Sequence, residues 1–256
     1  LASLIFLKEK RNGDIKARSC ANGSVQREHI AKEEAAAPTV ALESVFITSA
    51  IDAKENRKVV TIDIPGAFLH ADNEDYVLMK MVGTLAELMV RTIGNTSSLK
   101  RGRSVLYLCL QKALYGMMKS ALLFYRKLVG ELRKMGFKLN PYDPCVANKM
   151  VNDAQLTVRW HVDDLMISHI NNNVIMAFVK AIKAIYGDNL AESMGTKHTY
   201  LGMEFDYSCI EEVKINMQKY IVKIIDEFPE EITSTSATPA ADYLFAVRED
   251  GRKLNE

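Results

Sequence analysis

Asp163 and Asp164 stand side by side in WHVDDLMIS, residues 160 to 168, within a run that is otherwise apolar or aromatic. Adjacent carboxylates repel each other, so the pair needs either a solvent-facing turn or a cation that neutralises it. A third carboxylate, Asp63, ends the β-branched run KVVTID just ahead of Pro65-Gly66. If the strand ending at Asp63 neighbours the hairpin that carries Asp163 and Asp164, the three converge on a place for two hard cations such as Mg²⁺. Two such ions clamp the attacking and leaving oxygens of a phosphoryl transfer. An Asp-Asp dipeptide also fits plain turn chemistry, with Asp63 an ordinary strand-end residue.

The elements that must position these side chains are legible as alternating strand and helix patterns. LIFLKEK and IKARSCA flank Arg11-Asn12-Gly13-Asp14, and Asn-Gly between extended runs signals a hairpin. Pro38 and Thr39 open a predicted helix running through VALESVFITSAIDAKE, with Leu42, Val45, Phe46 and Ala50 at helical spacing. From Ser120 the positions Ala121, Tyr125, Leu128, Leu132 and Met135 form an apolar face, Arg126, Lys127, Arg133 and Lys134 lie opposite, and Gly136 stops the helix. VANKMVNDAQLTVRWHVDDLMIS reads as strand, turn, strand, turn, strand, with Asn152-Asp153 and Asp163-Asp164 at the turns. A helix over Val174 to Tyr186 buries Ile175, Phe178, Val179, Ile182 and Ile185. TYLGMEFDYS and EVKINM make a further strand pair before a last helix, QKYIVKIIDEF, and an irregular tail from Pro229. The order implies an α+β fold around a mostly antiparallel sheet, with helices on one face and the other left for a ligand.

Composition excludes several classes. At 256 residues, 48% hydrophobic and 25% charged, the chain is ordinary globular protein, without an apolar run long enough to span a bilayer and without the order of a signal peptide. Its four cysteines are scattered and read as reduced thiols, not as a zinc site or disulfide scaffold. The net charge is +1, but Leu99 to Lys138 holds ten bases against one acid, Glu131. That +9 block fits a polyanion track, or equally a helix with a solvated basic face. Neither chain end looks like a natural terminus, so the sequence reads as a piece of a longer protein.

The flanks of the three aspartates carry a resemblance. VVTIDIPGAFLHADNEDYVLMKM is similar to the strand-Asp-x-x-x-Ala-Phe-Leu motif and following acidic segment of the reverse transcriptases of copia-type long-terminal-repeat retrotransposons. LQKALYGMMKSALLFYRKL resembles their Lys-x-Leu-Tyr-Gly-Leu-x-x-Ser helix opening, NPYDPCVANK their Asp-Pro-Cys segment, and WHVDDLMIS stands where they have Tyr-Val-Asp-Asp. YLGMEF resembles the primer-grip strand and KARSCANGSVQRE the fingers segment, so that the likeness covers about Ile15 to Tyr220 in order. It implies the right-hand polymerase fold: fingers over 1–58, palm over 59–228 with an inserted fingers segment at about 82–113, and the start of a thumb over 229–256. The palm sheet would be antiparallel and backed by helices, the thumb incomplete.

By the same resemblance, Asp63, Asp163 and Asp164 are the catalytic carboxylates, and with the carbonyl of Ile64 they hold two Mg²⁺ ions, for which Mn²⁺ can substitute. Lys16 and Arg18 cover the incoming triphosphate, and Arg18 is favoured because a guanidinium grips phosphate through a bidentate fork. Phe68 lies under the sugar and excludes a 2′-hydroxyl, while Tyr115, Gly116 and Ser120 pack on the nucleotide and template. His161, Leu201, Gly202 and Met203 meet the primer, and the basic block, Lys112 and Lys119 included, follows the template-primer backbone. Two positions depart from the pattern: His161 replaces the usual Tyr and brings a group that titrates near neutrality to the primer, and Ala121 stands where many members have Pro. The implied partners are an RNA or DNA template-primer, dNTPs, and integrase and RNase H regions of a parent polyprotein, with no membrane. The implied location is cytoplasmic, in a virus-like particle. Against this reading stand a catalytically incompetent nucleic-acid-binding remnant of the same fold and a metal-dependent phosphohydrolase.

Overall fold

The structure, a computed structural model, describes residues 1–9, 13–93 and 105–230. Strands β1 (Ala2–Glu9) and β2 (Ile15–Asn22) form an antiparallel ribbon in which Ala2 faces Asn22 and Glu9 faces Ile15. Of the expected Asn12-Gly13 turn, Asn12 lies outside the described residues, and Gly13 takes a φ of 84°. A 3-10 segment, Gly23–Glu28, and the short α1 (Lys32–Ala35) lead into α2 (Leu42–Lys54). Then come β3 (Lys58–Asp63), α3 (Ala67–His70), β4 (Leu78–Val82), α4 (Thr84–Ile93) and β5 (Val105–Cys109). The next stretch holds α5 (Ser120–Lys134), β6 (Lys138–Leu139), β7 (Val146–Val151), β8 (Ala154–His161), β9 (Asp164–His169) and α6 (Asn172–Tyr186). The chain closes with β10 (Ala191–Gly195), β11 (Lys197–Tyr200), β12 (Met203–Asp206), β13 (Lys214–Asn216) and α7 (Gln218–Glu227).

The strands form three sheets, ordered β2-β1-β4-β5, β10-β3-β9-β8-β7-β6 and β11-β12-β13. All neighbours in the six-stranded sheet are antiparallel. Residues Leu1–Asn216 make one compact unit, and a second begins at Met217 with α7, which carries Ile221, Ile224 and Ile225 at helical spacing. The α+β expectation holds, and residues 146–169 run strand, turn, strand, turn, strand, with the second turn at Val162-Asp163 instead of Asp163-Asp164; the expected bare face does not hold, since α5 packs on one face of the six-stranded sheet and α2 on the other.

Because successive side chains in a strand point to opposite faces, the six-stranded sheet has two distinct surfaces. One is apolar: Trp160, Leu165 and Ile62 lie in one cross-strand row, and Trp160 meets the ring of Tyr125 on α5 with centroids 6.3 Å apart. On the other face, Arg159 is 1% exposed and donates to Thr48 Oγ1, Asp52 Oδ2 and Ser49 Oγ of α2 at 2.7–2.9 Å. Burial of that cation costs free energy that only a paired, hydrogen-bonded anion offsets.

Three local expectations need correction. Helix α2 starts at Leu42, not at Pro38 or Thr39, because its first-turn donor Ala41 N–H finds the Asp143 carboxylate at 3.0 Å, a partner far along the chain, while the other oxygen of Asp143 accepts from Cys145 N–H. The inner face of α5 is Leu123, Phe124, Leu128, Val129 and Leu132; Ala121 and Tyr125 flank it half-buried. TYLGMEFDYS is two antiparallel strands, Tyr200 facing Met203, because Leu201 and Gly202, at φ 52° and 76°, form a two-residue turn of the kind that matches strand twist.

Removing one partner of a buried ion pair leaves the other uncompensated. Arg159→Met is expected to lower stability by about 3–5 kcal/mol, and Asp52→Leu in the same chain to restore most of it, as read by urea unfolding.

Candidate active site

The cross-strand ladder brings the candidate carboxylates together. Asp63, the last residue of β3, faces Asp164, the first of β9, and Asp164 faces His161, the last of β8. Pro65 offers no backbone N–H to continue the ladder, and Gly66, at φ 64°, turns the chain into α3. Between His161 and Asp164 the loop is only Val162 and Asp163. Val162 has a φ of 56°, a conformation costly for a β-branched side chain, on the order of 1–3 kcal/mol. The turn is held from the neighbouring strand, since Ile64 N–H donates to the Asp163 carbonyl at 3.1 Å.

Burial raises the pKa of both Asp163 and Asp164. The charge of Asp63 pushes Asp163 further up, its own backbone N–H, His161 and Arg18 work against the rise, and Asp164 feels both other aspartates. Among the described residues no group of three or more acidic, His or Cys side chains is arranged to hold a metal ion. The donor types suit Mg²⁺: hard carboxylate oxygens at two strand ends and in the turn beside them, with burial disfavouring the charge of Asp163 and Asp164. Mg²⁺ retains water and substrate phosphate among its ligands and needs few from the protein.

Next to the carboxylates an aromatic and cationic wall assembles. The guanidinium of Arg18 lies 4.8 Å from the centroid of the Tyr115 ring, whose other neighbour, Phe68, is 4.6 Å away at an interplanar angle of 48°. Burial and then the Asp163 charge raise the pKa of the Tyr115 hydroxyl, which ties this wall to the carboxylates. Backbone contact fixes the arrangement. Ala21 N–H donates to the Tyr115 carbonyl at 2.8 Å, and a side chain at Gly116 (φ 89°) would collide with the Ala21 carbonyl, as one at Gly23 would with the Gly116 carbonyl. Ser120 is buried and its hydroxyl donates to the Leu114 carbonyl at 2.6 Å, so it braces this turn from beneath. Lys16 stays exposed on the ribbon opposite Lys8.

The residues expected at the primer are less uniform. His161 is half-buried beside Asp164, Leu201 and Gly202 are the β11–β12 turn, and Met203 is a core residue, 4% exposed. Lys112 pairs with Asp72, Lys119 with Asp75 and Arg126 with Glu74, so three bases of the basic block face three acids of the ADNED segment. Sequence reasoning missed the Arg159–Asp52 pair and Tyr200, which shares a cavity with Asp63 and Asp164. Alternation in the strand gives the one available signal for each.

The family model for reverse transcriptase (RNA-dependent DNA polymerase) matches residues 4–242, and the chain belongs to that family. It is 22% identical over 244 residues to the retrovirus-related Pol polyprotein from transposon TNT 1-94 of Nicotiana tabacum, covering 93% of this chain and 17% of that protein. Against the truncated transposon Ty1-A Gag-Pol polyprotein of Saccharomyces cerevisiae, identity is 24% over 229 residues, covering 86% and 17%. The chain thus spans about a sixth of the length of these relatives. A solved apo telomerase from Candida tropicalis, truncated from its C-terminal domain, superposes with a TM-score of 0.43 and 11% identity, over 84% of this chain and 55% of that one.

Two outcomes follow from this geometry. Gly116→Ala is expected to push the 115–116 backbone off β2, destabilising by about 1–3 kcal/mol and stripping hydrogen-exchange protection from the Ala21 amide. A carboxyl whose folded pKa is raised binds its proton more tightly in the folded state, so its contribution to stability grows as pH falls through that value toward the ordinary carboxylate pKa of about 3.9. Asp163→Asn is therefore expected to melt higher than the parent at pH 7 in EDTA, with a gap that closes toward pH 4.

Proposed function

We propose that the chain is the fingers and palm of an RNA-directed DNA polymerase that extends a primer 3′-hydroxyl with dNTPs. One observation carries this: Asp63 and Asp164 in register at adjacent strand ends, with Asp163 in the strained turn between. Family membership supports the same reading. In it, 1–58 are fingers, 59–228 palm with a fingers insertion at about 82–113, and 229–256 the start of a thumb. Asp63, Asp163 and the Ile64 carbonyl would hold two Mg²⁺ or Mn²⁺ ions, with Asp164 supporting. When bound, these ions neutralise charge and polarise the attacking and leaving oxygens of the transfer.

The chain's own residues bind and orient. Arg18, held over Tyr115, presents its guanidinium to the triphosphate, with Lys16 on the same strand as a second cation. Phe68, tilted against the Tyr115 ring, forms the floor under the sugar and sets the preference for deoxynucleotides. Gly116 lets the backbone close on β2, and Ser120 keeps the turn in place. His161 and the Leu201-Gly202 turn face the primer end, while Met203 acts from the core. Lys112 and Lys119 exchange their acidic partners for template-primer phosphates. That exchange makes binding steeply salt-dependent, because counterions are released at each contact. The working location is the cytoplasm, inside a particle of the element, with integrase and RNase H regions of a parent Pol chain as neighbours.

Incorporation of dTTP on poly(rA) primed with oligo(dT), in Mg²⁺ or Mn²⁺, tests the proposal. The parent should extend the primer and Asp163→Asn should lose at least about a thousandfold, the scale of removing a central electrostatic group. Salt-sensitive binding with no extension by either protein would instead mark a nucleic-acid-binding remnant.

A further inference from the structure

Between the first turns of α6 and the β7–β8 hairpin lies a cavity of about 620 Å³, within the roughly 300–1,000 Å³ range of small-molecule sites. It stands at the opposite end of β8 from the carboxylates: Leu156, near the start of the strand, lines it, whereas His161 at the far end faces Asp164. Its origin is in the sequence of α6. Phe178 and Ile182 carry the helix into the core, while Ala177 and Ala181, one turn apart on the flank, end at Cβ and leave the space in front of them open.

The walls are fixed by contacts of their own. Phe137 and Phe178 meet edge to face with centroids 5.4 Å apart. The buried His169 accepts the Asn171 N–H at Nδ1, at 2.9 Å, so its Nε2 carries the proton and donates to the Val151 carbonyl at 3.2 Å. That bridge ties the N-cap of α6 to the hairpin. The rim carries Asn152, Asn171, Asn173 and one cation, Lys149. The Lys149 ammonium lies 6.0 Å from the centroid of the Phe137 ring and donates to the Met135 carbonyl at 2.7 Å. An ammonium has three donors, and among the described residues no carboxylate pairs with this one.

A flat ring suits walls built from Phe137, Phe178, Leu156 and Met135, and an anion suits the unanswered charge of Lys149. A second charge on the ligand would meet apolar walls without a partner. We propose that this cavity is a binding site for an aromatic molecule carrying a single anionic group, with its rings against Phe137, Phe178 and Leu156 and its anion at Lys149. The site is separate from the carboxylates and does not depend on the polymerase reading.

The probe is naphthalene-2-carboxylate, with uncharged naphthalene-2-methanol beside it, added to the full chain isotope-labelled at its methionine methyl groups. The NMR signal of the Met135 methyl, assigned with Met135→Leu, is expected to shift and saturate with either probe. Ala177→Leu, at an exposed position where leucine keeps the helix, fills the cavity and is expected to weaken both probes at least about fivefold, the scale of overpacking, with a parent-like melting temperature. Lys149→Met keeps the stem and removes the charge, and is expected to weaken the carboxylate about tenfold, the scale of a charge-assisted hydrogen bond, while leaving the alcohol unchanged. Absence of a saturable Met135 shift overturns the site, as does parent-like affinity in Ala177→Leu. Equal effects of Lys149→Met on the two probes, or none on either, overturn the role of the anion and with it the ligand class.

Discussion

The register between β3, β9 and β8 is the constraint on which everything else in the molecule depends. Side chains alternate faces with a period of two, so a slip by one residue would send Asp63 to the opposite surface and bring Val60 and Ile62 out of the core. Two features hold the register. On one face Trp160, Leu165 and Ile62 fill a continuous apolar row, and on the other Arg159 is tied to Asp52, Ser49 and Thr48 of α2. The ion pair is directional where the apolar row is not, so it pins β8 against α2 at a single offset. That anchor stands one alternate position, His161 against Arg159, from the end of the strand that carries the turn.

Charge in this chain is arranged in opposite ways at two places. Around Asp63, Asp163 and Asp164 negative charge gathers with His161 and Arg18 beside it, and burial first, then the neighbouring aspartates, raises the pKa of Asp163 and Asp164. Along residues 112–126 the opposite happens. The bases that made the segment look like a bare polyanion track are met by Asp72, Glu74 and Asp75. Exposed pairs of this kind contribute little, about 0–1 kcal/mol each. The acidic segment lowers the standing positive charge and leaves the cations available.

The parts of the fold legible in the sequence were those set by local pattern. Asn152 and Asp153, at φ 51° and 60°, tolerate the left-handed conformation, and the β7–β8 hairpin follows from them and from the alternation on either side. The carboxylate positions were legible for the same reason, being strand ends beside Pro65 and a two-residue loop. What escaped was set by partners remote in the chain. The start of α2 depends on Asp143, about a hundred residues away, so no local capping signal marks it. The Leu201-Gly202 turn hides because only one of its two residues is glycine. The inner face of α5 is rotated from the expected one because Leu123 and Phe124, adjacent in sequence, both face the sheet and widen the apolar stripe past the narrow row that spacing alone suggests. Arg159 and Tyr200 read from sequence as unremarkable strand residues, since alternation assigns each a face but does not say that its polar atoms lie in the core.

Taken together, Val162 at positive φ, carboxylates held where burial disfavours their charge, and the orphaned Tyr200 hydroxyl are three costs concentrated within a few residues of one another. The backbone strain and the orphaned hydroxyl are each of the order of 1 kcal/mol or more, against a total stability of about 5–15 kcal/mol for a domain. A fold optimised only for stability would place glycine at 162, asparagine at 163 and phenylalanine at 200. The two-faced sheet, apolar on the side of Trp160 and tied to α2 through Arg159 on the other, supplies the stability that lets such a strained corner persist.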